Sequence, residues 1–271
     1  MTKPPNTNHK NPLDRLLAIM VALRDPITGC AWDRKQDFAS IAPYTIEEAY
    51  EVIDAIQRED MTDLKSELGD LLLQIVFHAR IAEESALFNF DDVATAIADK
   101  MERRHPHIFA DAAADKQTDS SWEDIKASER RARAAAQSGT RPPSLLDDVP
   151  LALPALSRAV KLQKRAARIG FDWQHIAPIM AKLQEEIAEF QAELDAEHPD
   201  KNRLLDELGD ILFVIANMGR HIKADPEQAI RHTNAKFERR FRWMEQNCAN
   251  LEALSLDAME ELWQMAKNET G

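Results

Sequence analysis

Residues 182–218 read KLQEEIAEFQAELDAEHPDKNRLLDELGDILFVIANM, and they decide the fold because they set acids along helices that are otherwise apolar. The periodicity predicts two helices, Ile179 to Glu197 and Lys201 to Ala224, separated by the turn signal HPDKN and packed as an antiparallel pair. On the first, Glu185, Glu186 and Glu189 fall at i, i+1 and i+4, so three carboxylates crowd one face. On the second, Glu207 and Asp210 are three apart and flank the stripe Leu204, Leu205, Leu208, Ile211, Leu212 and Ile215. From Ile211 the run ILFVIA is apolar all round, which predicts burial on most sides and acids that are not freely solvated.

Like charges at helical spacing repel by roughly 0.2–0.5 kcal/mol per pair in water and by more at low dielectric. Carboxylates converging from two helices therefore call for a cation. With no His or Cys among them, Mg²⁺ or Mn²⁺ suits the set better than Zn²⁺. The rival reading is a solvated acidic face, since EExxE is a common string in a chain that is 30% charged.

Duplication weighs against that rival. Residues 47–77 read EEAYEVIDAIQREDMTDLKSELGDLLLQIVF, with EExxE and ELGD in the same order, at offsets of 138 and 140 from the second copy. The first copy thus supplies Glu47, Glu48, Glu51, Glu67 and Asp70, and on chemistry alone these could also bind a metal. Lys100, Arg103 and Arg104 recur as Lys236, Arg239 and Arg240 at an offset of 136, and Trp32 and Asp33 are echoed by Asp172 and Trp173. One helical unit written twice accounts for all of this.

The 271 residues suffice for two domains, and few glycines or strand-like runs accompany 44% hydrophobic content, which points to an all-α protein. Boundaries are expected at 11–109 for the N-terminal repeat, 110–144 for a linker rich in Ala, Ser and charge, and 145–271 for the C-terminal repeat. A solvated helix is expected within the linker, over WEDIKASERRARAAAQ. A formal net charge of −13 argues against nucleic acid and anionic membrane surfaces as partners. Two cysteines give no disulfide framework, the start lacks a signal-peptide core and no apolar run is long enough to span a bilayer, so a cytoplasmic protein is expected. His105 and His107 lie just past a predicted helix, Asp91 to Arg104, and read more readily as capping or packing groups than as ligands. Trp32 either lines a pocket with Asp33 and Gln36 or covers the helix pair.

Acids that hold Mg²⁺ near a helix whose Lys236, Arg239 and Arg240 share one face complement a polyphosphate, and Lys182 adds a fourth cation. Simple salt bridges are the alternative for these bases. Tandem EExxE and ExxD, with CAWD, RRHPHIF and GFDW, resemble the MazG family of nucleoside triphosphate pyrophosphohydrolases over nearly the whole chain. The resemblance implies an all-α fold of paired four-helix units, a homodimer, Mg²⁺ dependence, and cleavage of NTPs and dNTPs between the α and β phosphates. It implies that the second repeat is catalytic, with Glu186, Glu189, Glu207 and Asp210 on the metal and Glu185 orienting or deprotonating the attacking water. Lys182, Lys236 and Arg240 would hold the triphosphate, with Trp263 beside the nucleotide. The chain departs from the family pattern at Ala31, where Pro is usual, and at Asp37, where Thr is usual. Three rivals stay open: a non-catalytic helical scaffold or nucleotide sensor, a narrower relative acting on one nucleotide, and a di-iron bundle, disfavoured because ExxD stands where ExxH is wanted.

Overall fold

A computed structural model describes residues 11–109 and 144–271. They belong to two compact units, one within residues 1–126 and the other within 127–271. Every regular element among the described residues is helical. The first unit contains α1 (Pro12–Leu23), α2 (Phe38–Gln57), α3 (Met61–Glu84), α4 (Phe90–Arg104) and the short α5 (Pro106–Phe109). The second contains α6 (Ala155–Ala167), α7 (Ile176–Leu194), α8 (Lys201–His221), α9 (Pro226–Asn247) and α10 (Leu256–Thr270). The helix expected in WEDIKASERRARAAAQ lies outside the described residues.

In each unit the two acid-bearing helices form a hairpin, α2 on α3 and α7 on α8, with α1 or α6 laid against the second helix of the pair. Aspartates fix where that second helix starts. Asp60 Oδ1 accepts from the backbone N–H of Thr62 and Asp63 at 3.1 and 3.0 Å, and Asp200 Oδ1 from Asn202 at 2.8 Å. Both caps sit seven residues before the Glu of ELGD, so they set the register of Glu67 and Glu207.

Helix boundaries differ from the sequence reading in the C-terminal pair, where α8 ends at His221, three residues before the expected Ala224. Helix α2 starts at Phe38, where Asp37 and Ser40 form a reciprocal capping box, and it continues through Pro43. The Asp at position 37 thus serves the capping role that a Thr could equally fill. Helix α7 runs from Ile176 to Leu194, three residues earlier than expected at both ends. Pro178 falls in its first turn, where a missing N–H costs no bond, and the EHP sequence before Asp200 disfavours continuation.

The first unit's core is Met20, Ile41, Val76, Phe77 and Ile81, with Leu16, Leu17, Leu73 and Phe90 packed on it. In the second, Ile179, Val214, Ala216, Met244 and Ala266 are buried. Here the expectation for ILFVIA is corrected. Leu205, Leu208, Leu212, Phe213 and Ile215 remain between 39% and 65% exposed, so α8 is buried on the Val214 and Ala216 side and shows its apolar stripe to the outside. No helix among the described residues is long and apolar enough to cross a membrane.

Arginine clamps tie the loop before each hairpin to its second helix, with opposite polarity in the two units. Arg24, at the end of α1, donates to the carbonyl of Gln36 at 3.1 Å and to Glu84 of α3 at 2.7 Å. In the second unit the arginine is on the helix: Arg220 Nη1 donates to Asp172 of the loop at 2.9 Å, and His221 Nε2 lies 3.2 Å from the same carboxylate. Trp32 meets Tyr44 and Phe77 edge-on at centroid separations of 6.1 and 6.4 Å, so it covers the α2–α3 pair. His105 Nδ1 lies 2.7 Å from the carbonyl of Met101, in line with a capping group.

Hydrogen bonds from Arg220, and then from His221, hold the Asp172 carboxyl below the usual carboxylate range. A depressed pKa means stability that is present above the unfolded value of about 3.9 and lost as pH falls through the folded one. Asp172→Ala should therefore lower the unfolding free energy at pH 7 by about 1.5–3 kcal/mol, with the difference from wild type shrinking in denaturation curves recorded below about pH 3.9.

Candidate metal centre and phosphate-binding face

Glu186 stands on α7, and Glu207 and Asp210 stand one turn apart on α8. One oxygen from each lies within 4.8 Å of the others. The first unit builds the same triad from Glu48 of α2 with Glu67 and Asp70 of α3. Three carboxylate oxygens converging from two helices are a donor set that suits a hard divalent cation, which commonly retains water in its other positions. The remaining acids surround the triads. Glu189, one turn beyond Glu186 on α7, is outside the tight group but near enough for its charge to act on Glu207. Glu51 holds the same place beside Glu48 and Glu67.

Crowding shows in the protonation of these groups. Burial, followed by the charges of Glu189, Glu186 and Asp210, pushes the Glu207 carboxyl up. Burial, then Asp63, Glu51 and Asp70, does the same to Glu67. Glu48 is raised by burial and by its contact with Glu51. A divalent cation would relieve this repulsion by replacing shared protons with a fixed positive charge.

The two triads differ in what compensates them. Lys182 Nζ lies 2.8 Å from both Glu185 Oε1 and Glu186 Oε1, and Glu186 itself is only 4% exposed. These two carboxylates hold the Lys182 ammonium well above the usual lysine range. Arg203, four residues before Glu207, pairs with Glu193 at 3.1 Å and draws the Glu207 pKa back down. At the corresponding places the first unit has Tyr44 and Asp63, and Asp63 raises Glu67 further. Buried Gln74 there donates to Glu48 Oε1 at 3.3 Å, where the second copy has Val214. The second triad thus has Lys182 and Arg203 beside it, whereas the first has no cation in place of Lys182 and an Asp63 that is paired with Arg58.

Helices α9 and α10 carry the remaining candidates. Arg240 stacks over the Trp263 ring at 5.9 Å, and Phe237 packs against the same indole at a centroid separation of 5.2 Å. The buried Arg240 Nε has no hydrogen-bond partner. Lys236 is half-buried and Arg239 exposed on the same helix. No hydrogen bond or ion pair among the described residues joins Lys236, Arg239 or Arg240 to the triad. Sequence reasoning passed over Arg203, although its i, i+4 spacing to Glu207 was a usable signal, and over the Arg220–Asp172 clamp, whose partners lie 48 residues apart.

Residues 36–109 and 174–244 each match the MazG nucleotide pyrophosphohydrolase domain. An Escherichia coli K12 protein named nucleoside triphosphate pyrophosphohydrolase is 48% identical over 265 residues, spanning 96% of this chain and 98% of its own length. A Thermotoga maritima protein named nucleoside triphosphate pyrophosphohydrolase/pyrophosphatase MazG is 40% identical over 258 residues, 94% of this chain and 95% of its own. A Mycolicibacterium smegmatis protein that also carries the nucleoside triphosphate pyrophosphohydrolase name is 34% identical over 77% of this chain and 62% of its own.

A raised carboxylate pKa has the opposite linkage to that of Asp172. The folded state keeps its proton longer, so the group's contribution to stability falls as pH rises from the unfolded value of about 4.3 through the folded one. In chelator, Glu207→Gln should melt progressively higher than wild type as pH is raised from about 4 to 7. Adding Mg²⁺ at pH 7 should raise the wild-type melting temperature and leave the variant nearly unmoved. Equal Mg²⁺ shifts in both proteins would rule out Glu207 as a ligand.

Proposed function

Because the chain belongs to the MazG nucleotide pyrophosphohydrolase family, we propose that its C-terminal unit hydrolyses nucleoside and deoxynucleoside triphosphates between the α and β phosphates. The products are a nucleoside monophosphate and pyrophosphate. The observation that carries the assignment to this unit is the Glu186, Glu207 and Asp210 triad with Lys182 and Arg203 beside it. A cation-binding acid cluster flanked by bases suits a polyphosphate, whereas the first triad has Tyr44 in place of Lys182 and, in place of Arg203, an Asp63 that is paired with Arg58.

Glu186, Glu189, Glu207 and Asp210 hold Mg²⁺, for which Mn²⁺ is a possible substitute on the same oxygen chemistry. When bound, the ion neutralises phosphate charge and favours ionisation of the attacking water. Glu185, fixed by Lys182, orients that water and accepts its proton. The new bond forms from water oxygen to the α-phosphorus, the bond from the α-phosphorus to the bridging oxygen breaks, and pyrophosphate leaves in line. Lys182, Lys236, Arg239 and Arg240 bind the phosphates, and Trp263 with Phe237 offers an aromatic surface to the nucleoside.

The exposed stripe of Leu205, Leu208, Leu212 and Ile215 is an apolar face of the kind that pairs with another helix pair, and we assign it to a homodimer interface. Cys30 and Cys248, both free thiols, are compatible with the reducing cytoplasm in which we place the enzyme.

Incubation with a panel of NTPs and dNTPs plus Mg²⁺ should release pyrophosphate and monophosphate; orthophosphate alone would mean that another bond is cut. Asp210→Asn and Glu189→Gln should each lower kcat by a factor on the order of 100 or more with the helical circular dichroism signal retained, whereas Asp70→Asn should leave turnover near wild type. Arg240→Ala should act chiefly on KM, by roughly tenfold for a lost charge-assisted contact. Full turnover in both Asp210→Asn and Glu189→Gln would remove the site from consideration.

A further inference from the structure

A second concavity in the C-terminal unit takes no part in this chemistry. It lies between α6, the end of α8 and the start of α9, has a volume of about 490 Å³, and is lined by Lys161, Lys164 and Lys223 together with Val160, Ala224 and Pro226. We propose that it binds a small phosphorylated anion, separately from the triphosphate site.

The charges around it are only partly compensated from within. Arg220, which also borders the space, is neutralised by Asp172. Asp225, the one acid in the lining, caps α9 by accepting from the backbone N–H of Glu227 at 2.9 Å, and its carboxylate offsets one of the three lysine charges. Among the described residues Lys161, Lys164 and Lys223 enter no ion pair. Three free ammonium groups around one hollow stand out in a chain whose net charge is −13. They repel one another, and a phosphate group would relieve that repulsion while supplying several strong acceptor oxygens.

The duplication provides an internal comparison. In the first unit the same place, between α1, the end of α3 and the start of α4, holds a smaller space of about 210 Å³ lined by Leu17, Met20, Val21, Glu83 and Phe90 among others. At the offset of 140 that aligns the two ELGD motifs, Val21 corresponds to Lys161, Leu17 to Ser157, Arg24 to Lys164, Arg80 to Arg220 and Glu83 to Lys223. Arg80 there pairs with Glu83 at 2.8 Å and Glu84 at 3.0 Å, so the first hollow is balanced by its own acids. In the second, an aliphatic residue and an acid have both become lysine.

The backbone changed with them. Helix α3 has 24 residues and α8 has 21, although the two start at equivalent positions. The missing turn leaves Lys223 just past the helix end at a φ of 60°. Shortening enlarges the hollow, and its volume falls within the roughly 300–1,000 Å³ range of small-molecule sites. Val160 and Pro226 offer an apolar wall for an organic part next to the cations. Arg220 lies ten residues beyond Asp210 on α8, about 15 Å along the axis, which separates this hollow from the metal triad.

The test is calorimetric titration of the full chain in chelator with two probes, inorganic pyrophosphate and phenyl phosphate. Saturable binding of at least one is expected, weakened by rising ionic strength. Tighter binding of pyrophosphate would identify a polyphosphate ligand, and tighter binding of phenyl phosphate a monoester with an organic part. The double change Lys161→Val with Lys223→Glu, which copies the first unit's residues, should weaken binding at least tenfold while leaving triphosphate turnover unchanged. Lys164→Gln, a single change at an exposed residue, should act in the same direction and serves if the double variant does not fold. Absence of saturable binding to wild type, binding equal in the lysine variants, or binding abolished instead by Lys236→Ala would each overturn the proposal.

Discussion

Like charges held close together by helix geometry are the constraint on which the rest of this structure depends. Glu186, Glu207 and Asp210 cannot spread apart, because α7 and α8 are locked into one hairpin and Asp200 sets the register of the second helix. Burial, and then the repulsion that follows, raises the Glu207 pKa, and Lys182 lies in contact with two carboxylates at once. The surrounding parts make sense as answers to that problem. Glu193 anchors both Arg203 and the backbone N–H of Asp200, and the Arg220–Asp172 clamp closes the hairpin's far end.

Much of this was legible in the sequence because helical spacing converts directly into geometry. Glu207 and Asp210 at i, i+3 must share a face, and the repeat offset of 140 placed Glu67 and Asp70 in the same relation. What escaped were effects that depend on neighbours distant in the chain. The stripe Leu205, Leu208 and Leu212 reads as core by period alone, yet period does not say which side a partner helix occupies, and within the unit the buried side is that of Val214 and Ala216. Lys182 was readable as a phosphate ligand, and its ion pairs with Glu185 and Glu186 became visible only in the structure.

Comparing the two units separates what the fold requires from what a particular site adds. Both keep the hairpin, the aspartate cap and the acid triad, so these belong to the architecture. They part company at Tyr44 and Lys182, at Asp63 and Arg203, and at Glu83 and Lys223, each toward positive charge in the second copy, and in the other direction at Lys65 and Leu205 and at Arg58 and Ala196.

Tyr44 in one copy and Lys182 in the other has a meaning for inheritance as well as for charge. An assembly of identical single-repeat subunits repeats any substitution at every site, so a change that ruined catalysis in one would ruin it in all. Fusing the halves into one polypeptide breaks that symmetry: one copy can serve as a scaffold and accumulate changes while its sibling keeps the working complement.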